Sequence, residues 1–403
     1  MTPKLPIFFI VMTVVIDAMG IGLIIPVMPQ LLLEILPTAT LGQAAIWGGI
    51  MAMLFSLMQF LFGPMLGSLS DQYGRKPLLL VTLVIMALGY LIMALAGGIW
   101  LLLFGRIIGG ISSATQSTAA AYIADISKPD EKAGNFGLIS AGFGIGFVLG
   151  PLLGGALVEF GIRAPFYAAG LLALANALFG AVVLRESLTA STRRAFEWRR
   201  ANPLSAFRYI GQFKDLTALL WVSFCFYISV AVYPAIWVYY TTERFDWSPG
   251  LIGVSLAVYG GSTVLVQAVL IRLANRYLGD SKTVKLGLII QIPTLAMIAL
   301  VGDGTLLLAL TPLAALGSIG TPALQAIMSR AVGTESQGAL QGVLASLNAF
   351  ATMIALLAMT QIFAHFSSGD ALVYLPGAPF LVSALLMALG LGLFWRLQLS
   401  AKA

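Results

Sequence analysis

Charge is what this sequence has least of. Asp, Glu, Lys and Arg make up 9% of its 403 residues, against about a quarter in a soluble domain. With 59% hydrophobic residues, that shortage excludes a water-soluble globule and points to a polytopic membrane protein. Thiol and imidazole are nearly absent as well. The single cysteine, Cys225, excludes an intrachain disulfide and a cysteine-based metal site, and the lone His365 excludes a histidine-based one. No cofactor and no metal is expected. A membrane-embedded enzyme is disfavoured, because no catalytic cluster of acids, cysteines or histidines falls within the apolar segments.

Long apolar runs are what the chain has. Segments of span length, about 20 residues, lie near 7–33, 43–66, 77–96, 99–121, 134–158 and 164–184. Six more follow near 215–241, 249–273, 283–301, 304–328, 337–364 and 372–396. All are expected to be helices, since backbone groups in hydrocarbon must be satisfied within the segment. The first run has no Ala-x-Ala cleavage pattern, so it reads as a span and not as a removable signal peptide.

The only long polar stretch, Arg185 to Lys214, divides the chain into six-helix bundles at 1–184 and 215–403. It interleaves Phe196 and Trp198 with Arg193, Arg194, Arg199 and Arg200. That pattern suits either an interfacial amphipathic helix on anionic lipid or a solvated linker at 185–214. The net charge of +6 is not a nucleic-acid signal. Of 22 Lys and Arg, only Arg163 and Arg244 fall in odd-numbered connections and only Arg106 falls inside a span away from its ends. This asymmetry places both termini in the cytoplasm.

Four stretches carry more than hydrophobicity. Between spans 2 and 3 lies Gly67-Ser68-Leu69-Ser70-Asp71-Gln72-Tyr73-Gly74-Arg75-Lys76-Pro77. Gly74 suits a positive-φ turn, Pro77 suits the first turn of a helix, and the cations Arg75 and Lys76 hold the connection inside. Asp71 adds nothing to that topology signal and needs another reason. In span 1, Asp17 is the one acid well inside a span, roughly 15 Å deep. An acid there must face water, find a partner or carry a proton. Pro26 and Pro29 are expected to bend the outer end of that helix. In span 4, Arg106 lies at a similar depth, about 10 Å from the outer face, and needs a partner, with Asp17 the first choice. In span 5, Gly137, Gly146, Gly150, Pro151, Gly154 and Gly155 fit Gly-x8-Gly-x3-Gly-Pro-x2-Gly-Gly. Glycines four apart make one smooth face, and Pro151 removes a backbone donor.

Arg272–Lys282 occupies in the second half the place of Gly67–Lys76, keeping cations and a glycine but no acid at the corresponding position. Span 7 is rich in aromatics, expected to form an outer belt and packing, with some free to line a substrate cavity. Candidate cavity residues are Gln59, Gln116, Tyr227, Tyr233, Trp237, Gln291, Gln325 and Asn348, since uncharged hydrogen-bonding groups among apolar walls suit an amphiphilic ligand.

The span 2–3 run, Arg-x-x-x-Gly at Arg106–Gly110 and the span-5 motif resemble the signatures of the major facilitator superfamily. Asp17–Ile24, Pro322–Gln325 and Gln337–Gly342 make the chain closest in pattern to the bacterial tetracycline/proton antiporters. The resemblance covers nearly the whole chain. It implies an all-α major facilitator fold of twelve spans, in the bacterial inner membrane, working as a monomer on protons and small amphiphilic compounds. Asp17 and Arg106 would couple protons, and Gly67, Asp71, Gly74, Arg75, Lys76 and Asp125 would form a cytoplasmic gate. Gly137–Gly155 would be the antiporter hinge, a motif of exporters. Two further acids of the tetracycline exporters fall here on Gly89 and Gln291, so the implied activity is proton-driven drug efflux. A tetracycline exporter with a reduced acid set, a metabolite symporter, and a transporter-like receptor are the alternatives.

Overall fold

The computed structural model describes all residues except 1–3, 114, 129–130, 189–192, 199–201, 204–215, 334–335 and 401–403. Among the described residues, twelve helices are long and apolar enough to cross a membrane. In order they are Leu5–Ile35, Leu41–Tyr73, Arg75–Ala94, Ile99–Ile126, Gly134–Phe160, Ala164–Val183, Thr217–Phe245, Pro249–Leu278, Asp280–Leu300, Gly304–Ala331, Gln337–Phe366 and Ala378–Leu397, numbered here spans 1 to 12. Many of their apolar side chains are exposed, among them Leu171, Val182, Leu300 and Leu385. In lipid such faces need no polar cover.

Helix and hydrocarbon do not end together. Span 2 stays helical through Ser70, Asp71 and Gln72 to Tyr73, so the expected hydrophilic connection is almost entirely helix. The turn is Gly74 alone, with φ at +110°, a region that favours glycine. Polar residues stop the hydropathy signal, but nothing in Ser-Asp-Gln stops helical hydrogen bonding. The described parts of the linker, 185–188, 193–198 and 202–203, contain no α-helix, and the rest lies outside the described residues.

Four spans are interrupted, and they recur every third span. Span 1 passes through a 3₁₀ turn at Ile25–Val27, where Pro26 sits. Span 4 breaks after Ser112, span 7 at Ala231, and span 10 at a 3₁₀ turn over Gly317–Ile319. Span 8 carries a π-turn at Val266–Leu270.

The chain forms two compact units. One comprises Met1–Thr38, Leu54–Pro203 and Ser248–Ala257, the other Ala39–Met53, Leu204–Trp247 and Val258–Ala403. The N-terminal parts of spans 2 and 8 thus group with the other unit than the one sequence order assigns them. In the first unit, spans 1 and 5 make the most intimate pair. Cβ atoms built on Gly142, Gly146, Gly150 and Gly154 would strike span 1 at Val11, Val15, Met19 and Leu23. The stripe therefore brings two backbones together, as small-residue faces do in membranes. In the second unit the core joins Leu220, Leu288, Met328, Val343 and Met387 from spans 7, 9, 10, 11 and 12.

Candidate functional site

Asp17 is 6% exposed. It lines a small cavity in the first unit with Ile21, Phe55, Tyr90, Arg106 and Ser113. The volume, about 10 Å³, is roughly that of one water. Among the described residues, none donates a hydrogen bond to Asp17 Oδ1. The Arg106 guanidinium stands 5.9 Å from the centre of the Phe55 ring, within cation–π range. Glycines make that approach possible. A Cβ on Gly109 would touch Phe55, and one on Gly110 would collide with the span 2 backbone at Phe55. The two charges expected at equal depth therefore share one site, and Phe55 and Tyr90 complete it. Neither aromatic carried a sequence signal, because an apolar span offers many such residues and only the packing selects two.

Gly89 does not face this cavity. Its missing side chain points at Ile108 and the Gly105 carbonyl of span 4. Tyr90, the next residue, is the one that enters the site.

At the end of span 2, Arg75 is a buried hub. It pairs with Asp71 at 2.6 Å and Asp125 at 3.1 Å, and donates a further bond to Ser70 Oγ. Ser187 Oγ donates to Asp125 as well. Beside this hub lies an arrangement the sequence did not announce. Glu186, just past span 6, accepts from the backbone N–H groups of Arg75 and Lys76, capping span 3. Lys76 Nζ returns the favour at the C-terminus of span 6, donating to the carbonyls of Ala181 and Leu184. A Cβ on Gly74 would strike the Glu186 carboxylate, so this glycine is required twice. Gly67 and Gly137 meet nothing within reach of a Cβ, and no close approach explains them.

The second half repeats this corner with its charges reversed. Gly279, φ +74°, heads span 9 as Gly74 heads span 3. At that same offset Asp71, Arg75 and Asp125 correspond to Arg276, Asp280 and Arg330, and Arg330 pairs with Asp280. The position of Asp71 thus holds a cation, and the acid of this corner, Asp280, stands where the first corner has Arg75. The two corners differ in burial, the Arg75 side chain being 10% exposed and that of Arg330 63%. Arg75→Ala is expected to cost about 2 kcal/mol, since it strands three partners. Arg330→Ala should cost less than about 1 kcal/mol, as exposed pairs do. Thermal unfolding of the two purified variants measures the difference.

The cavity candidates separate. Gln291, 1% exposed, donates to the Tyr233 hydroxyl at 3.2 Å. Tyr233 stacks on Tyr259 with centroids 5.3 Å apart and packs against Phe380 and Trp237. Gln325 donates to Tyr227 at 3.4 Å. Gln59 and Asn348 are exposed and join neither group, and the side chain of Gln116 lies outside the described ones. The outer-end aromatics Trp237, Tyr239 and Tyr240 are buried. They form interior packing and no belt, because span 7 is enclosed by neighbours in its unit.

The Major Facilitator Superfamily profile matches residues 10–233 and 219–402. The chain is 39% identical to the class C tetracycline resistance protein of Escherichia coli, over 91% of this chain and 92% of that protein. It is 29% identical to multidrug resistance protein 2 of Bacillus subtilis (strain 168), over 93% and 90% of the two. Its fold is similar to that of the nucleoside transporter NupG, with TM-score 0.80 over 97% of this chain and 99% of that one, at 12% identity. By profile, by relatives and by fold, this chain belongs to the Major Facilitator Superfamily.

Proposed function

We propose that the protein exports amphiphilic drug-like compounds across the bacterial inner membrane, driven by inward proton flow and working by alternating access. The observation that carries this reading is Asp17, a carboxyl buried within a span, with one oxygen that accepts no hydrogen bond from the described residues. Such a group in lipid is a functional one by default, and proton carriage is the role open to it beside a water-sized cavity. Arg106 stabilises its charged form, the Asp71–Arg75–Asp125 hub latches the cytoplasmic side of the first bundle, and the span-5 glycines let span 1 move. Relatives named for tetracycline and multidrug resistance support export. The amides and aromatics around Gln291 and Tyr233 offer uncharged contacts to a substrate. The chain acts as a monomer with both termini in the cytoplasm.

A tetracycline exporter is the second reading, favoured by the 39% identity to a tetracycline resistance protein. Gly89 and Gln291 stand where acids are expected in that group, which favours the broader substrate class. Inverted vesicles, acid inside, decide between them. Proton release on adding ethidium, chloramphenicol or norfloxacin supports a broad exporter, and release with tetracycline alone supports the second. Silence with all four compounds overturns drug export.

A further inference from the structure

Tyr90 is 5% exposed and stands beside the two charges of the site, within Coulombic range of both. Its hydroxyl is lodged over Gly20, where a Cβ would lie 2.8 Å from that oxygen. Gly20 is one helical turn from Asp17, so it and the acid share a face of span 1. The notch at Gly20 therefore holds the hydroxyl within about one helical turn of Asp17, on the cavity that both line. Around the cavity, the titratable or charged groups on the described residues are Asp17 from span 1, Tyr90 from span 3 and Arg106 from span 4. Span 5 brings glycines and Pro151 against span 1 here, and span 6 contributes the uncharged Asn176, which accepts from Thr13 at 3.4 Å.

A hydroxyl next to a buried carboxyl has one chemical use that a phenyl ring lacks. It donates to the carboxylate, directly or through one water, and accepts from the carboxylic acid. The cavity has about the volume of one water, with polar neighbours in Asp17, Tyr90 and Ser113. We propose that Tyr90 is a positioning residue of the proton site, its hydroxyl held by Gly20 so that it orients the Asp17 carboxyl as the proton arrives and leaves. This rests on the assignment of Asp17 as proton carrier, and the test separates the two.

The full-length protein, purified in lipid nanodiscs without substrate, is titrated while the infrared band of a protonated carboxyl is followed. Asp17→Asn removes one component of the band, leaving that of the other acids, if Asp17 carries the proton. A titration with no component lost relative to the parent overturns both that assignment and the role of Tyr90. Tyr90→Phe keeps the ring and its packing. It should displace the midpoint of the band by about one pH unit, the size of one hydrogen bond to a charged group. Gly20→Ala keeps the hydroxyl but pushes it from its notch, and should displace the midpoint too. A midpoint equal to the parent's in Tyr90→Phe overturns the proposal, even if transport falls, because packing alone would then explain Tyr90. Thermal unfolding of both variants confirms that the bundle is intact.

Discussion

Asp17→Asn is expected to lower substrate-triggered proton release by about 100-fold or more, the scale on which a single proton-transferring group acts. Asparagine keeps the size and polarity of the side chain, so the packing of spans 1 and 5 should survive. Proton-independent exchange of substrate between the two sides should therefore persist. The pairing of outcomes matters. Exchange retained with proton release lost places coupling in span 1. Loss of both, with a lowered unfolding temperature, makes the aspartate a structural residue. Parent-like proton release moves the carrier elsewhere.

Gly150→Ala and Gly137→Ala are expected to move stability in opposite directions, although both belong to one motif. A Cβ on Gly150 would lie 2.6 Å from the Met19 carbonyl and 2.8 Å from the Gly22 Cα. Both are backbone atoms of span 1 and cannot swing aside as a side-chain tip can. Overpacking of this kind costs about 1–3 kcal/mol. Pro151 adds to the constraint, since its ring sits against Gly22 at 2.6 Å from that residue's built Cβ. Separation of the spans by such a wedge should also stop transport, because Asp17 lies on the helix being displaced. Gly137 has nothing within reach. There alanine should gain roughly 0.5–1 kcal/mol of helix propensity and leave export unchanged. Unfolding temperature and dye efflux for the two variants test both halves of the claim, and a stable, active Gly150→Ala would sink it.

How far the site could be read beforehand depends on what kind of signal each residue gives. Asp17 and Arg106 stood out because ionised groups are rare and expensive in hydrocarbon, so each asks for a partner by its mere presence. Their common cavity followed from depth, which helical rise makes countable. The Asp71–Arg75–Asp125 hub was legible only through resemblance. Glu186 was not legible at all: it follows a basic residue at a span end, where a solvated acid is ordinary. What makes it matter is that the end of span 6 lies beside the start of span 3. The reversed pair Asp280–Arg330 was missed for a different reason: the run Arg272–Lys282 shows a glycine and cations but not which residues meet, and the positive φ of Gly279 sets the register that pairs them.

The sequence by itself determined the solvent, the number of the spans, and the residue types too expensive to be ornamental. These follow from transfer free energies and from backbone geometry, which act one segment at a time. Tertiary structure alone decided which neutral residues matter. Tyr90 rather than Gly89 faces Asp17, Phe55 receives Arg106, Gly150 touches a backbone and Gly137 does not. Those outcomes depend on which faces of two helices meet, and a methyl group placed in van der Waals contact or in open space has no counterpart in hydropathy.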